Sequence, residues 1–152
     1  MAYWLFKTEP GTWSWDDQLK QGEKGTHWDG VRNYQANNNM KAMKIGDLGF
    51  FYHSVNEKRI VGIVKVIKEH YPDHTDKSER FGLVDIAAVE TSPYPVSLAD
   101  IKSNHDLAAL VLVNNSQLSV HPVQPGEWNM VCGMIGFDPN TLKLCIFITD
   151  FF

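Results

Sequence analysis

The sequence predicts a mixed α+β domain, with about five strands and short helices between and around them. Three observations carry that reading. Stretches rich in β-branched and aromatic residues recur from Tyr3 to Val123. Helix-start signals, among them Ser14, Ser97 and Pro125, stand between several of these stretches. The chain of 152 residues suits one domain with one good hydrophobic core and leaves little room for a second.

The elements follow in order. Tyr3 to Thr8 reads as a first strand, broken by Pro10 and Gly11. Ser14 caps a short helix through Leu19, with Asp16 and Asp17 in its first turn, where carboxylates suit the helix dipole. Gly22 and Gly25 close that segment. Tyr34 to Met43 reads as a helix that ends before Gly46, and Asp47 to His53 as a strand. Ile60 to Tyr71 is a long β-branched strand, and Phe81 to Thr91 alternates as another. Pro93 and Pro95 mark a loop. Ser97 caps a short helix through Lys102, and Asp106 to Leu110 gives a second short helix. Leu118 to Val123 is the last core strand, and Pro125 with Glu127 starts a terminal helix. Closing the strands into a small barrel would remove their exposed edges. Lys143 to Phe152 has strand-like composition and reads as an added edge strand or an apolar tail.

Composition excludes several classes of function. The formal net charge is −4 and the pI about 5.8. A domain that grips long duplex DNA through its phosphates is usually basic, so any nucleic-acid contact here is confined to a few cations at one site. Cys132 and Cys145 form no C-x-x-C pair, which points to reduced thiols in a cytoplasmic protein. The N-terminus shows no signal-peptide pattern, and the longest apolar run, Leu107 to Val113, is too short to span a bilayer. A membrane partner is not expected. The sequence does not set the oligomeric state, and a monomer is the starting expectation. Aromatic residues make up 12% of the chain, and several sit beside polar residues rather than in apolar runs. They serve either as core packing or as stacking surfaces.

Three blocks are more specific. The first is Tyr3-Trp4-Leu5-Phe6-Lys7-Thr8-Glu9-Pro10. The second is Trp28-Asp29-Gly30-Val31-Arg32-Asn33-Tyr34-Gln35-Ala36, followed by Gly46-Asp47 and by Phe50-Phe51-Tyr52-His53-Ser54. The third is Leu118-Ser119-Val120-His121-Pro122-Val123. In this order they resemble the EVE domain, and the resemblance runs from Tyr3 to about Cys132. Gly62, Val66, Tyr71, Pro72 and Asp73 extend it. The resemblance implies a PUA-like β-barrel of five to six strands flanked by short helices, with a base-sized pocket. It places the domain at residues 1–136 and leaves 137–152 as a C-terminal extension. Asn37 and Gln117 stand where the family pattern has arginine, and Phe81 where it has tryptophan.

The expected function is non-enzymatic: a module that holds one flipped or unstacked, modified base of DNA or RNA. Stacking on aromatic faces recovers about 1–3 kcal/mol per base, and Trp28, Tyr34, Tyr52 and Phe81 are the candidates. Asn33, Gln35, Ser54 and Ser119 offer amide or hydroxyl groups to a base edge. Lys7, Arg32 and His53 suit a flanking phosphate. Each has a structural alternative. Asn33 can cap the helix at Tyr34, Arg32 can pair with Glu9, Trp28 can pack on Gly30, and Ser119 can be a hydroxyl satisfied by backbone. On the pocket reading, Trp28→Ala and Phe81→Ala weaken binding and leave the fold intact.

No catalytic motif competes strongly. Adjacent His53 and Ser54 on a strand point to opposite faces, a poor nucleophile–base pair. Glu9 and Asp47 form a carboxylate pair only if the fold joins them. His70, Asp73, His74 and Asp76 match no metal motif, so no metal or cofactor is expected. An RNA-binding module of the same fold, and a small-metabolite binder or small hydrolase using the same cavity, are the alternatives.

Overall fold

A computed structural model describes residues 2–115 and 118–137. Among them, six strands make one sheet, and five α-helices pack around it. The strands are β1 (Tyr3–Thr8), β2 (Thr26–Trp28), β3 (Leu48–His53), β4 (Arg59–Pro72), β5 (Gly82–Ser97) and β6 (Val120–Val123). The helices are α1 (Trp15–Lys20), α2 (Tyr34–Lys41), α3 (Leu98–Lys102), α4 (Val111–Asn114) and α5 (Pro125–Ile135). The strand order is β2-β5-β4-β3-β1-β6. Among the described strands, only the β1–β3 pair is parallel.

The apolar pattern of β1 and β3 follows from burial on both faces. In β1, Tyr3 and Leu5 face one core while Trp4 and Phe6 face another. All six residues of β3 are buried, with Phe50 and Tyr52 on the first side and Phe51 on the second. The alternation of a strand sends successive side chains to opposite faces, so a strand covered on both sides is apolar throughout. The first core is closed by Ile101, Leu112 and the α5 residues Trp128, Val131 and Ile135. Trp15 from α1, and Ala36 and Met40 from α2, cover the second.

The α+β class is as expected, but hydrogen bonding does not close the barrel. β2 and β6 are the two ends of the strand order, and no ladder among the described residues joins them. Instead Trp28, at the end of β2, sets its ring edge-on to Phe6 of β1, with centroids 5.3 Å apart. The sheet curls enough to bring its ends together, leaving a seam sealed by side chains.

Most boundaries follow local chemistry. Ser14 and Ser97 each complete a capping box, with Asp17 and Asp100 returning the bond. Pro125 occupies the first turn of α5, and Gly136 ends it at φ 88°. Three details differ from the sequence reading. β2 follows a short 3₁₀ turn, Gly22–Lys24, and three residues are too few for a periodic signal. The Asp106–Leu110 helix is instead a 3₁₀ turn, His105–Leu107, followed by α4. Pro93 and Pro95 lie inside β5 rather than in a loop. The β4–β5 register shifts between the Ile60 and Gly62 pairs, so the prolines fall where the ladder is already interrupted. The Lys143–Phe152 segment and Cys145 lie outside the described residues. Cys132 is a free, buried thiol.

Candidate functional site

The seam opens into a cleft of about 530 Å³. Its walls come from four short pieces of chain. Lys7, Thr8 and Glu9 bring in the end of β1, and Thr12 and Trp13 the turn after it. Thr26, His27 and Trp28 contribute β2. Asp29, Gly30, Val31 and Arg32 form the loop leading to α2, and Ser119 enters just before β6. Residues from both sheet ends therefore face one cavity. Ser119 is held there because its carbonyl accepts from the Lys7 amide at 2.8 Å, extending the β1–β6 pairing.

Two indoles frame the cleft differently. Trp28 is 8% exposed and packs on both Phe6 and Phe51. Trp13 is half-buried, and its Nε1 donates to Gln18 Oε1 at 3.0 Å. Gln18 itself is buried and donates to the Ile86 carbonyl, so it ties Trp13 to β5. The Trp28→Ala expectation needs correction: this side chain is part of the core, and truncation removes packing as well as any ligand contact.

The loop from Asp29 to Arg32 is fixed by one buried carboxylate. Asp73 accepts from the Gly30 amide at 3.1 Å, from Arg32 Nη1 at 3.2 Å, and from the amide and hydroxyl of Thr75. Burial alone would raise the Asp73 pKa, but the bonds from Thr75, Gly30 and Arg32 outweigh it and hold the carboxyl at about 2. The ion pair of Arg32 is thus with Asp73 and not with Glu9. Gly30 takes φ 75°, a conformation that suits glycine at this bend.

Apart from Lys7, the remaining sequence candidates lie outside the cleft lining. Asn33 caps α2, with its Oδ1 accepting from the Ala36 amide at 2.9 Å. Tyr34 and Gln35 are exposed on the first turn of α2. Phe81 packs against Tyr34, with centroids 5.0 Å apart. Tyr52 is buried in the opposite core, and burial pushes its phenol up to about 12. Lys7 pairs with Tyr52 in register, and its ammonium lies 6.0 Å from that ring, with its pKa lowered by burial. His53 is buried, and Trp15 donates its amide to His53 Nε2 at 2.9 Å. The proton is therefore on Nδ1, which donates to Glu57 at 3.1 Å. Ser54 donates its amide to the Thr8 carbonyl.

Sequence reasoning missed Trp13, Thr12, Thr26 and His27, and gave Glu9 only as a partner of Arg32 or of Asp47. All of them adjoin the first two sequence blocks, and that adjacency was the available signal. Glu9 and Asp47 do not form a pair: Asp47 accepts from the Ala2 amide, the Trp4 indole and the Lys44 amide. Among the described residues, no group of His, Cys, Asp or Glu is arranged to hold a metal ion, and no helix is long and apolar enough to cross a membrane. Asn37, at a family arginine position, is buried; its Oδ1 accepts from the Gly82 amide, so the His70 Nε2 at 3.0 Å is the donor.

Beside the cleft, His121 of β6 is fully buried, and its Nδ1 donates to the Pro122 carbonyl. Burial lowers its pKa from 6.5 to about 4. Between those values the unfolded chain binds more protons than the folded one, so acidification removes stability, on the order of 3 kcal/mol by pH 4. His70, also lowered by burial, adds to the same limb. Urea unfolding is expected to give a stability that changes little between about pH 7 and 8 and falls toward pH 4, and His121→Leu should flatten much of that fall. An equally steep fall in His121→Leu would place the acid sensitivity elsewhere.

The EVE domain model matches residues 2–134. A protein from Agrobacterium tumefaciens is 51% identical, with a TM-score of 0.86 covering 90% of this chain and 94% of that one. Human thymocyte nuclear protein 1 is 33% identical over 171 residues, 91% of this chain and 76% of the relative. Its crystal structure in complex with 5-methylcytosine-containing DNA gives a TM-score of 0.83 at 33% identity, covering 91% of this chain and all of that one. The YTH domain of Zygosaccharomyces rouxii MRB1, solved with N6-methyladenosine RNA, shares the fold at 11% identity and a TM-score of 0.54, covering 88% of this chain and 86% of that one. On the strength of a family model that spans almost every described residue, the chain belongs to the EVE domain family.

Proposed function

We propose that this chain is a non-enzymatic nucleic-acid-binding module that holds a single unstacked, modified base in the seam cleft. The observation that carries this reading is the composition of one cavity. Two indoles, Trp13 and Trp28, lie with the hydroxyl-bearing residues Thr8, Thr12, Thr26 and Ser119 and the cation Arg32. The cleft of about 530 Å³ falls in the range of small-molecule sites, about 300–1,000 Å³. Flat aromatic faces recover the cost of unstacking, and short polar groups read the base edge. The complex of human thymocyte nuclear protein 1 with 5-methylcytosine-containing DNA supports carrying the reading to a methylated base. A non-enzymatic role is also supported by His53, whose two ring nitrogens are committed to Trp15 and Glu57.

The few cations at the cleft and the net charge of −4 favour a contact in which few phosphates take part. Titration with DNA and RNA oligonucleotides, each unmodified or carrying one methylated or hydroxymethylated base, is expected to show preference for a modified strand. The salt slope should correspond to about two phosphates or fewer. Binding of a free nucleoside without any preference for a strand would favour a small-metabolite site instead. Equal affinity for modified and unmodified strands would end the base-reading proposal.

A further inference from the structure

Outside the cleft, one surface joins aromatic faces to arginines. Tyr34 opens α2 and is 58% exposed, whereas most aromatic side chains of the described chain are buried or half-buried. Its ring packs on Phe81 at 5.0 Å with the planes tilted by 39°. The Arg32 guanidinium stands 5.9 Å from the Phe81 ring, and Arg80 Nη1 reaches the Tyr34 hydroxyl at 3.4 Å. The patch is anchored at its base. Asp76 accepts from the amides of Arg80 and Phe81 at 2.9 and 2.8 Å, fixing both residues at the entry to β5. The Ser78 hydroxyl, chief among these bonds, helps hold the Asp76 carboxyl near 2, so the anchor stays ionised under ordinary conditions.

The patch is continuous with the cleft. Arg32 belongs to both, lining the cavity while its guanidinium lies beside Phe81. Asp73 grips the Gly30 amide on the cleft side and the Arg32 side chain on the patch side. A strand with one base lodged in the seam must carry its next nucleotide over an adjoining surface, and this surface bears a stacking face and two fixed cations.

We infer that Tyr34 and Phe81, with Arg32 and Arg80, form a platform for the nucleotide next to the lodged base, Tyr34 stacking on its base and Arg80 meeting its phosphate. This inference rests on the base-reading proposal. The occupant is a single-stranded nucleic-acid segment: the chemistry pairs an exposed aromatic face, which tolerates any base, with guanidinium groups that match phosphate. An acidic protein partner would match the arginines alone and leave the aromatic pair unused.

The test compares the nucleoside 5-methyldeoxycytidine with a short single DNA strand carrying one central 5-methylcytosine and with the same strand unmethylated. The parent protein should bind the strand more tightly than the nucleoside. Tyr34→Ala should weaken strand binding about tenfold and leave nucleoside binding unchanged, while Tyr34→Phe keeps the parent affinity. Arg80→Gln should lower the salt slope by about one. Both side chains are exposed, so melting temperatures should match the parent. If Tyr34→Ala and Arg80→Gln both bind the strand as the parent does, with the same slope, the platform is overturned. If the parent does not distinguish methylated from unmethylated strands, the base-reading proposal falls, yet a loss of strand binding in Tyr34→Ala still supports the platform. If the parent binds neither strand, both fall.

Discussion

Replacing Trp128 with alanine should cost about 3–5 kcal/mol of folding stability, enough to unfold a marginal domain at physiological temperature. The reason is position. Trp128 has no exposed surface and lies stacked against two rings, Tyr3 at 4.5 Å and Phe50 at 4.1 Å. Those rings belong to β1 and β3, the parallel pair of the sheet, so one indole joins α5 to both strands. Among the described residues its Nε1 is buried without a hydrogen-bond partner. Trp128→Phe keeps a stacking face and removes that stranded donor, so it should retain most of the stability that alanine loses. Urea unfolding of the three proteins provides the check. A loss under 1 kcal/mol for Trp128→Ala would mean that the two rings close over the gap.

The second large effect is on binding. Trp13→Ala should reduce affinity for a modified strand by tenfold or more, with the fold retained. Its indole reaches the cleft from a turn and is fixed through Gln18, so its removal takes away a wall but little of the core. Trp28 has the opposite balance. It packs on Phe6 and Phe51 inside the second core, and its alanine variant should lose folding stability and binding together. Calorimetric titration of Trp13→Ala, paired with its melting curve, separates the two. Parent-like affinity in that variant would remove Trp13 from the ligand face and leave Trp28 as the indole to test.

The contrast between these tryptophans marks the limit of sequence reading. The long strands and the capped helices were legible because their signals are local: β-branched runs in β4, Ser14 and Ser97 at helix starts, Pro125 in a first turn. The three residues of β2 carry no such signal and are strand only because β5 lies alongside. Pro93 and Pro95 read as a loop because prolines lack a donor, and the interruption in the β4–β5 ladder that tolerates them is a property of two strands together. The site was half legible for the same reason. Trp28, Arg32, Lys7 and Ser119 line the cleft. Tyr52 and His53 looked equally suitable as residue types, but burial on the two faces of β3 sends Tyr52 to the far core and His53 to Trp15. Asn33 suits either a cap or a base contact by residue type, and its side chain caps α2.

The unclosed seam has a mechanical consequence. The sheet is a ribbon whose two ends, among the described residues, meet without a hydrogen-bonded ladder, so opening there breaks no ladder elsewhere. Amide protons at β2 and near Ser119 should therefore exchange through small local openings, faster than those of β3 and β4 in the middle of the ribbon. A guest lodged between the ends touches both and acts as a keystone, turning an open strip into a closed hoop. Its grip would then be felt along all six strands, as a stiffening of the whole fold rather than of the pocket alone.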